Sequence, residues 1–396
     1  MAVKQGNTNV LHIPRWYPHR GDPMLGLFVK NHIESLPDTF NNSVLFLQFV
    51  DEQDSAIEID TQIINDVYNC TAYIRKASFR ILSLNSVINL YRYFLAFGRC
   101  YRKIYRKQGK PAITHVHVLT RTGLLAFIIK VLTGAPYVIT EHWTRYLPTT
   151  DSYQGAARKW LTAFVVKYAG AVMPVTANLR DAMISRGLSN KDYVVIPNVV
   201  DVDKFKPAVK AAKRDKKILV HLSCFTDKQK NISGILRVIK KLSSERNDFL
   251  LKLIGDGEDF DKMKQLSYKL QLTDEFVIFT GLKQNEELVE LLSNSDLMIM
   301  FSNYENLPVV ILESYACGVP VISTRVGGIH EHLHTGLGKL VEQQNEEQFL
   351  DELRSFLDNP DIYDKPEIRE YAVSHFSKEV IGKSFAKVYD EVINKK

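Results

Sequence analysis

Cysteine is scarce in this chain of 396 residues: Cys70, Cys100, Cys224 and Cys317 stand far apart, and no Cys-x-x-Cys pair occurs. That argues against a disulfide framework and a cysteine zinc site, and it predicts a reducing, cytoplasmic compartment. Long uninterrupted apolar runs are missing too. The most apolar stretch, Gly123 to Thr140, is broken by Lys130, Gly134 and Pro136, so it predicts a helix then a strand and no membrane span. Met1 to Asn9 is too polar for a signal peptide. Low-complexity segments and short repeats are absent. Acidic residues are absent from one region: between Val67 and Thr140 there is no Asp or Glu, against twelve Lys and Arg.

Ten of those twelve fall between Arg75 and Lys110 and account for the asymmetry hidden in a net charge of +6. They alternate with apolar and aromatic residues such as Phe79, Ile81, Leu82, Tyr91, Leu95, Phe97 and Tyr105. Such a stretch suits adsorption to an anionic membrane surface. A solvated basic helix has the same composition. No nucleic-acid recognition motif accompanies the charge, so nucleic acid is not an expected partner. With 45% hydrophobic and 24% charged residues the chain is otherwise an ordinary globular one, long enough for two domains.

Apolar runs of strand length alternate with helical periodicity, the pattern of parallel α/β sheets. In the first half, strands are predicted at 9–13, 43–50, 114–118, 137–140, 171–174 and 193–196, and helices at 26–36, 121–132, 155–168 and 177–186. After the charged segment Lys204–Lys217 the alternation restarts. Strands are predicted at 218–223, 249–254, 276–279, 297–301 and 321–323, and helices at 231–242, 260–270, 286–292 and 309–315. Two doubly wound, Rossmann-like parallel-sheet domains facing across a cleft follow, at 1–205 and 206–376, with the ligand at the C-terminal strand ends. Residues 377–396 carry a further helical pattern.

The tract from Ser302 to Ile322 carries the most chemistry. A strand-like run ends in a polar loop, and Pro308 suits the first turn of a helix because its missing N–H costs nothing there. The amides of Asn306, Leu307 and Val309 would then leave the helix start unpaired, an anion cradle. Glu305 precedes this helix and Glu313 lies about a turn and a half into it. Carboxylates so close to a phosphate cradle are better suited to sugar or ribose hydroxyls than to phosphate oxygens. A nucleoside diphosphate sugar fits that combination.

Two glutamates eight positions apart, followed by Gly318-Val319-Pro320-Val321 and Gly327-Gly328, resemble the nucleotide-binding signature of retaining glycosyltransferase family 4. The resemblance covers nearly the whole chain and implies the GT-B fold, with the last helix crossing back to the first domain. It implies that Glu305 positions the donor sugar and Glu313 the ribose. Pro14-Arg15-Trp16-Tyr17-Pro18 and Leu25-Gly26-Leu27-Phe28 match the loop opening the first domain, with Gly26 near the pyrophosphate. Thr140-Glu141-His142-Trp143 matches the family histidine after a first-domain strand, whose neutral imidazole would meet a sugar hydroxyl or developing charge. Lys230 matches the lysine on the donor diphosphate. The arginine usually found just before it is missing: Thr226 falls near its place, and Lys228 is the candidate substitute, without the guanidinium fork. Phe279-Thr280-Gly281, followed by Leu282, matches the place where the base rests on backbone.

No cofactor and no metal are expected. His115 and His117 alternate along one strand, but sequence spacing offers no third ligand. Asp201-Val202-Asp203 mimics a metal-binding pair, yet it sits in an interdomain linker and is predicted to turn and cap the chain. The expected activity is transfer of a hexose or N-acetylhexosamine, with retention, to a saccharide or lipid-linked saccharide in surface-polysaccharide assembly. A sugar-nucleotide epimerase of the same architecture, or a non-catalytic sugar-nucleotide-binding protein, are the alternatives.

Overall fold

The computed structural model describes residues 8–79, 82–119, 121–150, 152–208 and 214–395; Arg80 and Ile81 of the basic stretch lie outside them. The first half runs β1 (Thr8–Pro14), α1 (Leu27–Glu34), β2 (Phe40–Val50), β3 (Ile57–Ile64), β4 (Val67–Arg75), α2 (Leu82–Gln108), β5 (Ile113–His117), α3 (Arg121–Thr133), β6 (Tyr137–Glu141), α4 (Ala156–Tyr168), β7 (Ala171–Pro174) and α5 (Ala177–Ser185). Its seven strands are ordered β3-β4-β2-β1-β5-β6-β7. All pairs are parallel except β3 with β4.

The second half runs β8 (Lys217–Leu222), α6 (Asp227–Lys230), α7 (Ile232–Ser243), β9 (Phe249–Ile254), α8 (Phe260–Lys269), β10 (Val277–Gly281), α9 (Asn285–Ser293), β11 (Leu297–Met300), α10 (Val309–Ala316), β12 (Val321–Thr324), β13 (Gly338–Val341), α11 (Glu346–Asp358), α12 (Lys365–Phe376) and α13 (Lys378–Asn394). Its six strands form a wholly parallel sheet, β10-β9-β8-β11-β12-β13. Burial on both faces explains the apolar runs: Leu219, Leu251 and Leu297 pack into one cluster, and Val220, Ile254 and Met298 into another.

Helix α13 returns to the first sheet, where Ile381, Phe385, Val388, Tyr389 and Val392 pack with Val10, Phe40, Ile113 and Val138. Three expectations are corrected here. Tyr193–Ile196 is not a strand: it follows β7 through a single bridge at Tyr193. The hairpin-like pair β3 and β4 was not anticipated, because Ile57–Ile64 is largely exposed and polar alternation dominates it. Only part of the aromatic content of the basic stretch serves the core, while Phe79, Tyr91 and Tyr105 stay exposed. Tyr93, Ala96, Phe97, Cys100 and Ile104 form one buried helical face against the first sheet.

Candidate active site

In each sheet the strand order reverses beside one strand, and a crevice opens at the C-terminal ends there. In the second sheet that point lies between β8 and β11. The segment after β8 carries Lys230 at the end of α6, and the segment after β11 carries Glu305. The topology brings them together: Lys230 Nζ donates to Glu305 Oε1 at 2.6 Å, with both side chains buried. Burial by itself pulls the lysine pKa down, but the charge and hydrogen bond of Glu305 more than offset this and raise it. Asn303 secures the arrangement, its N–H donating to Gln229 O and its side chain to Lys228 O. Gly327 supports Glu305 from beneath. Its φ is +55°, and a Cβ there would meet the Glu305 carbonyl oxygen at 2.0 Å.

Pro308 is the residue flanking α10 rather than within its first turn, one position earlier than predicted. The cradle is nonetheless formed: among the described residues, no protein acceptor takes the amides of Asn306, Leu307 or Val309. Asn306 has an additional part that the sequence did not disclose. Its side chain accepts from Thr176 Oγ1 at 2.8 Å and donates to the His142 carbonyl at 3.0 Å, both on the other lobe. Asn198 donates to the Leu307 carbonyl, and Glu331 receives the amides of Ala177 and Asn178 at the start of α5. The lobes therefore meet through the nucleotide tract itself. Glu313 is half-buried on α10, and desolvation lifts its pKa to about 7 against a downward pull from Lys204.

On the facing lobe, Gly26 starts α1 with φ of +68°, and a Cβ would lie 2.3 Å from the Trp16 carbonyl. The glycine is thus demanded by the turn's own backbone, whatever ligand the loop meets. His142 follows β6, its ring 4.6 Å from Phe28 and 5.1 Å from His32. Burial above all, then His32, hold its imidazole far below the ordinary range, against a smaller upward pull from Asn198. The ring is neutral at pH 7. Among the described residues, neither of its nitrogens completes a well-aligned hydrogen bond.

The third histidine absent from sequence spacing is supplied by the fold, a correction to the expectation for His115 and His117. His12, His115 and His117, and likewise His32, His117 and His142, can each offer three ligand nitrogens within 4.8 Å. The first group is a hydrogen-bond network: His12 contacts His117 and Asn42, and His115 contacts Tyr389 and Thr140. Asp201 accepts from the amides of Asp203 and Lys204 and pairs with Lys378, the turn-and-cap role predicted. Lys228 is exposed beside the Lys230 pair. Leu282 is exposed at the end of β10.

The sequence profile "Glycosyl transferases group 1" matches residues 202–373, and "Glycosyltransferase Family 4" matches 72–204. N-acetyl-alpha-D-glucosaminyl L-malate synthase of Bacillus anthracis is 30% identical over 295 residues, covering 71% of this chain and 75% of that protein. The chain belongs to glycosyltransferase family 4. Another relative, the Escherichia coli UDP-Gal:alpha-D-GlcNAc-diphosphoundecaprenol alpha-1,3-galactosyltransferase, is 25% identical over 63% of each chain. Sucrose-phosphate synthase from Thermosynechococcus elongatus superposes with a TM-score of 0.76 at 19% identity over 98% of this chain and all of that one. The fold is GT-B, and the family 4 chain described here is a glycosyltransferase. Among the described residues no helix is long and apolar enough to cross a membrane.

Proposed function

We propose that this glycosyltransferase moves a hexose or N-acetylhexosamine, with retention, from a nucleoside diphosphate sugar to a lipid-linked saccharide at the cytoplasmic membrane face. The observation that carries the donor assignment is the set of unpaired amides at Asn306, Leu307 and Val309 beside the buried Lys230–Glu305 pair. A helix start with free N–H groups and an adjacent ammonium is complementary to a diphosphate. Glu313, further along α10, faces the ribose, and Lys228 at the crevice rim stands in for the missing arginine. Leu282, next to Gly281, rests against the base.

The chemistry follows from charge. Negative charge grows on the leaving diphosphate as the glycosidic bond breaks, and preorganised donors are strongest where charge develops. Lys230, exchanging Glu305 for phosphate, and the α10 amides supply that stabilisation, with the Gly26 loop closing over the other side. Glu305, released, binds sugar hydroxyls, and a further hydroxyl gives the His142 imidazole the partner it lacks. The acceptor enters on the face that the diphosphate leaves, and a diphosphate oxygen takes its proton. No protein nucleophile and no metal is required in this scheme. The relative that uses UDP-Gal and a diphosphoundecaprenol-linked acceptor supports the substrate classes.

The basic segment 75–110 supports membrane contact in a narrower form than its composition implied. Leu84, Val87, Leu90 and Tyr91 at the start of α2, with Phe79 before it, are exposed. Arg99, Arg102, Lys103, Arg106 and Lys107 line the solvent side further along. A panel of nucleotide sugars tested for slow hydrolysis, then transfer with the product anomer read by NMR, tests the reading. Retained anomeric configuration is expected; interconversion of nucleotide sugars without acceptor would instead identify an epimerase.

A further inference from the structure

Five histidines crowd the first lobe toward the ends of β1, β5 and β6, and the transfer mechanism uses only one of them. One ring nitrogen each of His32, His117 and His142 lies within 4.8 Å of the other two. These residues come from α1, β5 and the segment after β6, so only the tertiary fold brings them together. We propose that the three imidazoles form a binding site for a borderline transition-metal dication, Zn²⁺ above all. The site does not depend on the donor assignment.

The hydrogen bonds around the rings fix where each lone pair sits. Burial keeps the rings neutral, so each carries one N–H and one lone pair. The Nε2 of His32 faces the Pro197 carbonyl at 3.1 Å, and a carbonyl only accepts. His32 therefore keeps its lone pair on Nδ1. A relay fixes His117 in the same way. Asn42 Oδ1 accepts from His12 Nε2, which leaves His12 Nδ1 to accept from His117 Nε2, both at 3.1 Å. The His117 lone pair is thus on Nδ1 too. Among the described residues, no donor meets the Nδ1 of His32 or of His117, or either nitrogen of His142. Asn198 lies beside the His142 ring, and its Oδ1 is buried without a well-aligned donor of its own. An N–H of His142 turned to that oxygen leaves the other nitrogen as an acceptor.

Clustered lone pairs without a donor are costly when buried, and one metal cation satisfies all three. Acceptors on the far nitrogens, here Pro197 O and His12 Nδ1, are the outer-shell partners that orient metal-binding imidazoles. Three neutral nitrogens with no carboxylate or thiolate favour Zn²⁺ and its neighbours over Ca²⁺ or Mg²⁺. A tetrahedral ion at the usual Zn–N length needs nitrogens about 3.3 Å apart, so the rings need only a small inward movement. The triad of His12, His115 and His117 is not equivalent, since both nitrogens of His12 and of His115 are already engaged. Occupancy takes the His142 nitrogen that the proposed mechanism offers to a sugar hydroxyl, so Zn²⁺ bound there inhibits transfer. That consequence, unlike the site, rests on the proposed donor reading.

The test titrates Zn²⁺, and separately Co²⁺, into the full-length protein after treatment with a chelator. Calorimetry should show about one Zn²⁺ per chain. Co²⁺ should give the visible ligand-field bands of a four-coordinate site. A near-ultraviolet thiolate charge-transfer band should be absent, which separates this site from the exposed Cys224. His142→Gln, at the half-buried position, and His32→Gln should each weaken Zn²⁺ by more than about 100-fold, beyond the loss of an outer-shell partner. Zn²⁺ should raise the melting temperature of the parent and not that of His142→Gln, and the melting transition itself shows that the variant is folded. No saturable Zn²⁺ binding by the parent, or unchanged affinity in both variants, would overturn the proposal. Binding as expected, with undiminished sugar-nucleotide turnover at saturating Zn²⁺, would leave the site standing and fault the role given to His142.

Discussion

At the residue scale, the site is a set of groups held short of their best partners. Lys230 pairs with Glu305 at 2.6 Å, and in the proposed mechanism a donor diphosphate replaces that carboxylate. Lys230→Ala is expected to lower kcat by roughly 10²–10³-fold with a smaller change in donor affinity. It should also lower the melting temperature, because Glu305 is left buried and unpaired. Equal turnover in parent and variant, measured at saturating donor, would remove Lys230 from the mechanism. Glu313 makes a second prediction. Desolvation raises its pKa to about 7, so the free protein holds a proton there that a ribose, donating to the carboxylate, displaces. Affinity for a nucleotide sugar should therefore rise roughly tenfold from pH 6 to pH 8, and Glu313→Gln should flatten the dependence. Calorimetric titration at both pH values decides it. Glu305, Glu313, Lys230 and His142 were singled out because the short motifs around them resemble the family's, and the fold brings Lys230 and Glu305 together. Asn198, Thr176, Glu331 and His32 were not, since each acts across more than a hundred residues of chain.

At the element scale, period-two and period-3.6 patterns placed most of the sheet strands and their covering helices. The gaps have physical causes. β13, Gly338–Val341, reads Gly-Lys-Leu-Val and has no continuous apolar run to mark it. α11 and α12 lie in a charged C-terminal region where polar faces mask Phe349, Leu350, Leu353 and Phe356. In α2 the aromatic alternation suggested a membrane surface, yet the fold spends Tyr93 and Phe97 on the core. What remains for a membrane is the apolar start of the helix, with Val87 65% and Tyr91 67% exposed, and its basic outer side. Co-sedimentation with phosphatidylglycerol vesicles should be strong at low salt and fall as salt rises. Val87→Ser with Tyr91→Ser should weaken it further. Binding that is absent at every salt concentration would contradict the membrane assignment.

For the whole molecule, two features set the response to acid and to ligand. A row of buried histidines runs through the first lobe. Desolvation lowers His12 and His32 to about 4, and it holds His115, His117 and His142 well below the ordinary range. Each is neutral in the folded protein and protonates more readily once unfolded, so its contribution is present above about pH 6.5 and lost as pH falls toward 4. Glu141 and Glu313, both raised to about 7, act in the opposite sense between their ordinary value and 7, but the histidines outnumber them. The urea midpoint should drop markedly between pH 7 and pH 5; an unchanged or higher midpoint at pH 5 would contradict the burial of these rings.

The other feature is the contact between lobes. Asn306, Asn198 and Glu331 join them around a site where the His142 nitrogens are buried. The central claim is that a diphosphate settles on the start of α10. A crystal soaked with UDP-N-acetylglucosamine measures this directly. Density for the diphosphate should lie within hydrogen-bond distance of the Leu307 and Val309 amides, with Lys230 turned from Glu305 to phosphate. Diphosphate density elsewhere, with the Lys230–Glu305 pair intact, would contradict it.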